Sequence, residues 1–170
     1  MGASVLHEDA VFPVRDPGIP INIRNTNAPD DPGTMILADR DAGDQVVVGI
    51  AGSTGFTEFM IEKALMNAEV GFGRRVLDVF ERLGISYEHT PSSIDTFAVV
   101  VSDEEIGKRS EQVVEDLYAA VKPDVVTCND GLALVATVGK GMNRRIGTAA
   151  RLFTALSRSA VNIRMIDQGS

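Results

Sequence analysis

Residues 66–94 read MNAEVGFGRRVLDVFERLGISYEHTPSSI, and residues 142–170 read MNRRIGTAARLFTALSRSAVNIRMIDQGS. The two stretches align without a gap at an offset of 76 residues, and residue size and polarity are kept at many positions. Two amphipathic helices share apolar positions because they share a period. That period does not dictate the Met-Asn pair or the glycine five residues after the methionine. The sequence therefore predicts one structural unit that occurs twice.

The composition predicts a soluble globular chain. Its 170 residues can hold one ordinary domain or two small ones, and the repeat favours two. A net charge of −8 would repel a phosphate backbone, which excludes nucleic acid and anionic membranes as partners. There is no export signal and no apolar run of about 18 residues, the length that suggests a membrane span. We therefore expect a cytoplasmic location.

The single cysteine, Cys128, permits no internal disulfide and lies in VVTCND, among strand-like residues. It could be a nucleophile, with His7 and His89 as the two candidate bases of the chain. We expect instead a buried structural thiol, since neither histidine has an evident relay partner. The sequence contains no glycine-rich phosphate loop, no metal-ligand spacing and no G-x-S-x-G motif. It therefore predicts no catalytic residue and no metal site.

Hydrophobic periodicity predicts two helices in the first part of the chain. One runs from Phe72 to Leu83 with its apolar residues on one face, and Gly84 ends it. The other begins where Ser102 and Glu105 form a capping-box signature, and it ends at Pro123. The predicted strands are 46–51 and 56–63 around a Ser-Thr-Gly turn, then 86–91 and 96–101. The later part has strands 125–127, 132–139 and 161–166 and a helix over 147–159.

The order of strand, helix, strand, strand, helix and strand predicts an α+β fold of the ferredoxin-like type, written βαββαβ. In this fold an antiparallel sheet carries two helices on one face. The open sheet edges then need partners, within the chain or in a second chain. The predicted domains are 46–122 and 123–170, of which the second stops before its last strand and helix. Residues 1–40 are Pro-rich, contain a brief strand over 19–23, and are interpreted as the tail of a preceding domain.

Each copy offers a possible binding site where a loop enters a helix, at Gly71 or at Gly147. The N-terminus of a helix has unpaired backbone N–H groups that can receive a carboxylate, and Gly71 and Gly73 allow close approach. Glu88 could accept an ammonium group, with Tyr87 and the Ser92-Ser93 pair nearby in sequence. Together these residues suit an amino acid zwitterion. Alternatively, the glycines only serve turns and Glu88 is one more solvated acid.

The second copy differs from the first at the charged position. Arg164 replaces Glu88, and its charge would repel an ammonium group, so the two copies should not bind the same ligand in the same way. Asn162, Asp167 and Gln168 could serve a different ligand or only an interface. We expect the second copy to be mainly structural.

Five motifs in order resemble one known family: GIPINIRNTNAPDDPGT, MNAEVGFGRRVL, GISYEHTPS, GLALVATVGKGM and NIRMIDQGS. They are similar to the C-terminal regulatory part of aspartate kinases, which carries two ACT domains, and the similarity covers nearly the whole chain. The resemblance implies that residues up to about Thr34 end a catalytic domain. It also implies that ATP and magnesium belong to that domain, so that this chain needs no cofactor of its own.

The resemblance further implies feedback inhibition, in which lysine and often threonine bind ACT units and lower the ATP-dependent phosphorylation of aspartate. The positions that it assigns to effector binding lie in the first copy: Met66, Gly71, Phe72, Gly73, Ser86, Tyr87, Glu88, Ser92 and Ser93. A possible second effector site comprises Asn143, Gly147, Asn162 and Gln168. The expected partners are a second copy of the chain, paired through the ACT sheets, and the catalytic domain or subunit.

Two other readings stay open at this point. The chain could be an assembly module whose sheets form a dimer without any small ligand. It could also be an intact enzyme that uses Asp and Glu residues of its N-terminal stretch. Whether it is a segment of a longer enzyme or a separate regulatory subunit stays open as well.

Overall fold

The computed structural model describes residues 6–38, 47–139, 142 and 145–168. The chain divides into two compact units. One unit comprises Met1–Ala51 with Ala136–Thr148, and the other comprises Gly52–Val135 with Ala149–Ser170. The second unit contains every residue of the first-copy candidate site.

The first unit begins with helix α1 (Glu8–Arg15), which the sequence analysis did not predict. Strands β1 (Ile21–Ile23) and β2 (Thr34–Ile36) follow as an antiparallel pair, so the strand predicted over 19–23 is confirmed in a shorter form. The loop between them is held by Arg24, whose guanidinium donates to the carbonyl oxygen of Asp31 at 2.7 Å and to that of Pro29.

Strand β3 (Gly49–Glu62) lies at the centre of a three-stranded sheet, between β4 (Thr96–Ser102) and β5 (Val125–Val138). The predicted turn at Ser-Thr-Gly is wrong, because β3 continues through Gly55, which absorbs a left-handed φ of 87°. The strands predicted over 125–127 and 132–139 likewise form one strand, with Gly131 at φ 67°. Pairing with a neighbouring strand evidently outweighs the local turn signal at both glycines.

The two long strands are counterparts in the repeat. The first and last residues of β5 are numbered 76 higher than those of β3, and Gly131 stands at the same offset from Gly55. The N–H of Val48 donates to the carbonyl of Val138 at 2.9 Å, and that of Asp124 donates to Glu62 at 2.8 Å, so the strands run antiparallel. The repeat therefore begins well before the two stretches in which the sequence reveals it.

The core of the second unit lies between the sheet and helices α2 (Phe72–Arg82) and α4 (Ser110–Val121). The predicted helix start at Ser102 is confirmed, since the hydroxyl of Ser102 accepts from the N–H of Glu105 at 3.3 Å. It starts only the short helix α3 (Asp103–Ile106), because Gly107 at φ 54° interrupts the predicted single helix. The core residues are Phe59, Ile61, Met66, Phe72, Val76, Val79, Phe80, Ile85, Val99, Val101, Ile106, Val113, Leu117 and Val121.

Two predicted strands are absent from the described part of the chain. Residues 86–91 lie beside β4 and share with it only isolated bridges, at His89 and Ser92, because Pro91 has no N–H to donate. Residues 161–166 have no strand pairing and follow helix α5 (Thr148–Arg158) as irregular chain. The predicted helix over 147–159 is confirmed. Within the described residues, no helix has the length and apolar character needed to cross a membrane.

Candidate functional site

The loop between β3 and α2 forms one wall of the candidate site. It contains a short 3-10 turn (Met66–Ala68), in which Met66 is buried. The N–H of Asn67 donates to the carbonyl of Ile94 at 3.2 Å, and the N–H of Lys63 donates to that of Asp95 at 2.9 Å. These two bonds fasten the loop to the turn that precedes β4.

The start of α2 provides the backbone groups of the site. Gly71 is its N-cap at φ 76°, a conformation that disfavours any residue with a side chain. A Cβ on Gly73 would lie 3.0 Å from the ring of Phe97, so a side chain there would have to displace that ring. Phe72 is buried with its ring edge-on to that of Phe97, at 6.3 Å between centroids. In an α-helix the first N–H groups, here those of residues such as Gly73 and Arg74, have no partner within the helix.

The structure brings Ser92 and Ser93 to the same place. Ser92 bridges to Phe97, and the N–H of Ser93 donates to the carbonyl of Thr96 at 2.8 Å. Both serines are exposed. The two serines therefore lie beside the first residues of β4, where the ring of Phe97 also packs against the start of α2.

Glu88 lies farther along the same strand. Its N–H donates to Val100 at 2.8 Å. Val100 is three residues beyond Phe97, about 10 Å away at a rise of roughly 3.3 Å per residue. Glu88 is exposed, as are Ser86 and Tyr87, which lie farther still from the start of α2. Ser86, Tyr87 and Glu88 are thus at the opposite end of the predicted site from Ser92 and Ser93.

Sequence reasoning missed a cluster of charges that encloses the loop. The Nζ of Lys63 lies 2.6 Å from the carboxylate of Glu69, and the guanidinium of Arg75 contacts the other oxygen of that carboxylate. The hydrogen bond from Lys63, together with the charges of Lys63 and Arg75, lowers the pKa of Glu69 below its usual value. No pattern in the sequence pairs these residues, because Lys63 and Arg75 are brought together only by the folding of the loop.

Three of the four second-copy candidates lie among the described residues. Gly147, at φ 89°, precedes α5, and Asn162 lines an open recess of about 490 Å³ beside that helix. The N–H of Gln168 donates to the side chain of Asp167 at 2.8 Å. Asn143 lies outside the described residues.

Two charged residues of the second copy have intramolecular partners. The Nε of Arg164 lies 3.3 Å from the carboxylate of Glu58, which is buried on β3 and also accepts from Asn129 at 3.0 Å. Asp167 lies 3.2 Å from the Nε2 of His89. Arg164 therefore neutralises the buried carboxylate of Glu58. This role is not visible in the sequence, where Arg164 is only the counterpart of Glu88.

The expectation of a buried thiol at Cys128 is wrong. Cys128 is exposed on β5, because this strand lies at the edge of the described sheet. Partial desolvation, with the charge of Asp130, raises the pKa of the Cys128 thiol. A raised pKa disfavours the thiolate and hence nucleophilic chemistry. Among the described residues, no three His, Cys, Asp or Glu side chains are grouped as metal ligands.

Comparisons with known proteins agree on one family. The family model described as ACT domain matches residues 135–170. Aspartokinase 3 of Bacillus subtilis is 44% identical to the chain over 174 aligned positions, which cover 99% of this chain and 37% of that protein. The chain thus spans little more than a third of the length of this relative.

Solved structures extend the same similarity to the fold. The aspartate kinase of Clostridium acetobutylicum, described as an allosteric enzyme, superposes with a TM-score of 0.90 at 49% identity, over 98% of this chain and 39% of that one. Two more distant structures show the fold alone. Aspartokinase III of E. coli, in complex with lysine and aspartate, has a TM-score of 0.76 at 23% identity, over 98% of this chain and 36% of that one. The regulatory subunit of aspartate kinase from Thermus flavus has a TM-score of 0.64 at 17% identity, over 74% and 84%.

The homology covers the whole chain, and the α+β fold with its antiparallel sheet is that of ACT-type regulatory domains. Over nearly its whole length the chain is therefore homologous to aspartate kinases, and it has the fold of their ACT-type regulatory domains.

Proposed function

We propose that the chain senses an end-product amino acid, lysine first and threonine second, and that binding inhibits ATP-dependent phosphorylation of L-aspartate by the catalytic domain. The observation that carries this proposal is that Phe97, near the beginning of β4, contacts both parts of the site: its ring packs against the start of α2, and its backbone bridges to Ser92. In support, aspartokinase III of E. coli was solved with lysine and aspartate bound. ATP and magnesium would be held by the catalytic domain, and the setting would be the cytoplasm.

The first-copy site would hold a zwitterion at two places. The N–H groups of Gly73 and Arg74 would receive the α-carboxylate, where the positive end of the helix dipole also favours negative charge. The hydroxyls of Ser92 and Ser93 would bind the α-ammonium. These groups serve any amino acid and would not by themselves select one.

The position of Glu88 favours a long cationic side chain. The α-ammonium of any amino acid lies within about 4 Å of its own carboxylate, whereas the ε-ammonium of extended lysine lies about 6 Å beyond the α-carbon. The backbone of Glu88 lies beside Val100, about 10 Å along β4 from Phe97, whose ring contacts the start of α2. The flexible side chain of Glu88 reaches part of that distance. Lysine therefore fits this spacing better than threonine or methionine does.

Threonine would be a weaker or a second effector. The second copy offers Gly147, Asn162 and Gln168, together with Asn143, and presents no acid equivalent to Glu88. A small uncharged side chain would suit such a site better than lysine would.

Calorimetric titration with lysine, threonine and methionine, singly and in pairs, tests the proposal. We expect saturable heat with lysine at one site per chain, and weaker or no heat with methionine. An absence of heat from all three, in every combination, would refute the sensor function for this chain. An aspartyl-phosphate assay on the isolated chain is the companion control, in which no turnover is expected.

A second candidate function is assembly without a small ligand. Strand β5 is an edge strand of the described sheet and exposes about half of Val125 and Val135. A long edge strand with exposed apolar residues is suited to pairing with a second copy of the chain. Sedimentation with and without lysine separates the two functions, because a pure assembly module would form the same dimer whatever the lysine concentration.

A further inference from the structure

Three charged side chains enclose the loop at the start of α2, and none of them is among the groups proposed to touch the ligand. Lys63, Glu69 and Arg75 are named here the Glu69 clamp. One oxygen of the Glu69 carboxylate lies 2.6 Å from the Nζ of Lys63, and the other contacts the guanidinium of Arg75. The clamp thus ties the residue after β3 to the first turn of α2.

Lys63 extends the clamp to a third element. Its Nζ donates to the carbonyl of Val121, the last residue of α4, at 2.7 Å. The same Nζ lies 5.6 Å from the centre of the Phe72 ring, within the range of a cation–π contact. One ammonium group therefore joins the end of β3, the start of α2 and the end of α4.

The loop needs an external constraint to keep its shape. Leu65 adopts a left-handed φ of 59°, which costs a residue with a side chain roughly 1 kcal/mol or more. Such a conformation persists only where the surrounding structure fixes it. The hydrogen bonds from the loop to Ile94 and Asp95, and that of the Ala64 N–H to the carboxylate of Asp124 at 2.7 Å, hold its first part. The clamp holds its last part, where the guanidinium of Arg75 also donates to the carbonyl of Val70 at 3.2 Å.

The clamp is shielded enough to act as such a constraint. The side chains of Lys63, Glu69 and Arg75 are 22%, 35% and 30% exposed. Ion pairs with this partial burial are screened less by salt than pairs at the open surface. The lowered pKa of Glu69 agrees with a carboxylate that is ionised and held by both cations.

We propose that Glu69 is a positioning residue of the amino acid site: by bridging Lys63 and Arg75 it holds the loop in the conformation that starts α2 at Phe72. This inference rests on the proposed function, because the helix start is where the α-carboxylate would bind. Since Glu69 already pairs with Lys63 and Arg75, backbone N–H groups rather than these two cations would receive that carboxylate.

The variant Glu69→Gln tests the inference, with Asp78→Asn as its matched control. Gln keeps the shape of the side chain and removes its charge. Asp78 pairs with Arg82 at 3.2 Å on the same helix, away from the loop, so Asp78→Asn also removes one acid from an ion pair of α2. Both positions are exposed enough for the variants to fold.

Two measurements on the full chain are needed. Amide hydrogen exchange without ligand reports the order of residues 64–75, and calorimetry reports the dissociation constant for lysine. In Glu69→Gln we expect about tenfold faster exchange in this segment and about tenfold weaker lysine binding. In Asp78→Asn we expect neither change.

Each outcome separates the positioning role from the proposed function. Unchanged exchange in Glu69→Gln would overturn the clamp, whether or not lysine binds. Faster exchange with unchanged lysine affinity would overturn the positioning role, as would equal changes in Asp78→Asn. If the unmodified chain binds no lysine, the proposed function fails for lysine, and exchange alone then decides whether Glu69 holds the loop.

Discussion

The two copies of the repeat form the same local structure but bury it to different degrees. Helices α2 and α5 have bounds that differ by 76 residues at both ends, and Gly71 and Gly147 precede them in the same left-handed conformation. Helix α2 buries four of its residues, whereas α5 buries none. Local sequence therefore sets where each helix begins and ends, while tertiary partners decide how much of it is buried.

The helix ends repeat as closely as the helix starts. Gly84 at φ 63° corresponds to Ala160 at φ 54°. The N–H of Ile85 donates to the carbonyl of Phe80 at 2.9 Å, and that of Val161 donates to Leu156 at 3.1 Å, which is the same bond in each copy. The second copy thus keeps the left-handed backbone conformation at this position, although it has alanine where the first copy has glycine.

The largest difference between the copies should be the stability lost when an apolar residue of each helix is truncated. Phe80 is 1% exposed and its ring meets that of Phe59 edge-on at 5.7 Å, whereas its counterpart Leu156 is only half-buried. We expect Phe80→Ala to lower the free energy of unfolding by about 4 kcal/mol and Leu156→Ala by about 1 kcal/mol. Urea unfolding measures both, and equal losses would show that the second copy is packed as well as the first.

The second largest loss of stability should come from breaking the ion pair between Arg164 and the buried Glu58. Arg164→Ala leaves Glu58 with Asn129 as its remaining partner, and we expect a loss of about 2 kcal/mol in the free energy of unfolding. Adding Glu58→Gln to Arg164→Ala should recover most of that loss, because the uncompensated charge is then gone. A double variant that is no more stable than the single one would exclude this cause.

A smaller pair of effects should distinguish the two helix ends. Gly84→Ala places a side chain in open space but at a left-handed φ, and we expect a loss of about 1 kcal/mol. Ala160→Gly relieves the same strain and should gain up to about 1 kcal/mol, reduced by the extra entropy of glycine in the unfolded chain. Thermal unfolding measures both changes. Shifts of the same sign would contradict the equivalence of the two positions.

The smallest effect concerns pH and the first copy alone. The pKa of Glu69 is lowered in the folded chain, so its stabilisation is complete above the unfolded pKa of roughly 4.3 and is lost as pH falls through the lowered value. The stability difference between the unmodified chain and Glu69→Gln should therefore be constant near pH 7 and shrink below about pH 4.5. Urea midpoints across this range measure the trend, and a difference that grows on acidification would contradict it.

The sequence predicts those features that depend on neighbouring residues. The bounds of α2, the end of α4 before Pro123 and the cap at Ser102 all follow from local patterns, and the structure confirms them. The alternation of strand, helix, strand, helix and strand over β3, α2, β4, α4 and β5 follows from the same patterns, whereas the strand predicted over 86–91 forms only isolated bridges. The repeat was visible because a Met-Asn pair and the glycine five residues after the methionine recur before both helices at the same offset.

Features that depend on distant residues could not be predicted. The Ser-Thr-Gly turn signal before Phe56 yields to the continuous strand β3, which lies between β4 and β5 and pairs with β4 from Phe56 onward. No local pattern records this pairing. The extension of the repeat to β3 and β5 is hidden because their residues differ almost everywhere except at Gly55 and Gly131. The pairs of Glu58 with Arg164 and of Glu69 with Lys63 arise only when the chain has folded.

The claim that the first copy is the sensor is tested most directly by lysine titration of three chains: unmodified, Glu88→Ala and Arg164→Ala. If the first copy binds lysine, Glu88→Ala should weaken binding about 30-fold through loss of a charge-assisted hydrogen bond, while Arg164→Ala should keep the affinity within about twofold at a temperature where it remains folded. Equal weakening in both variants, or an unchanged affinity in Glu88→Ala, would contradict the account.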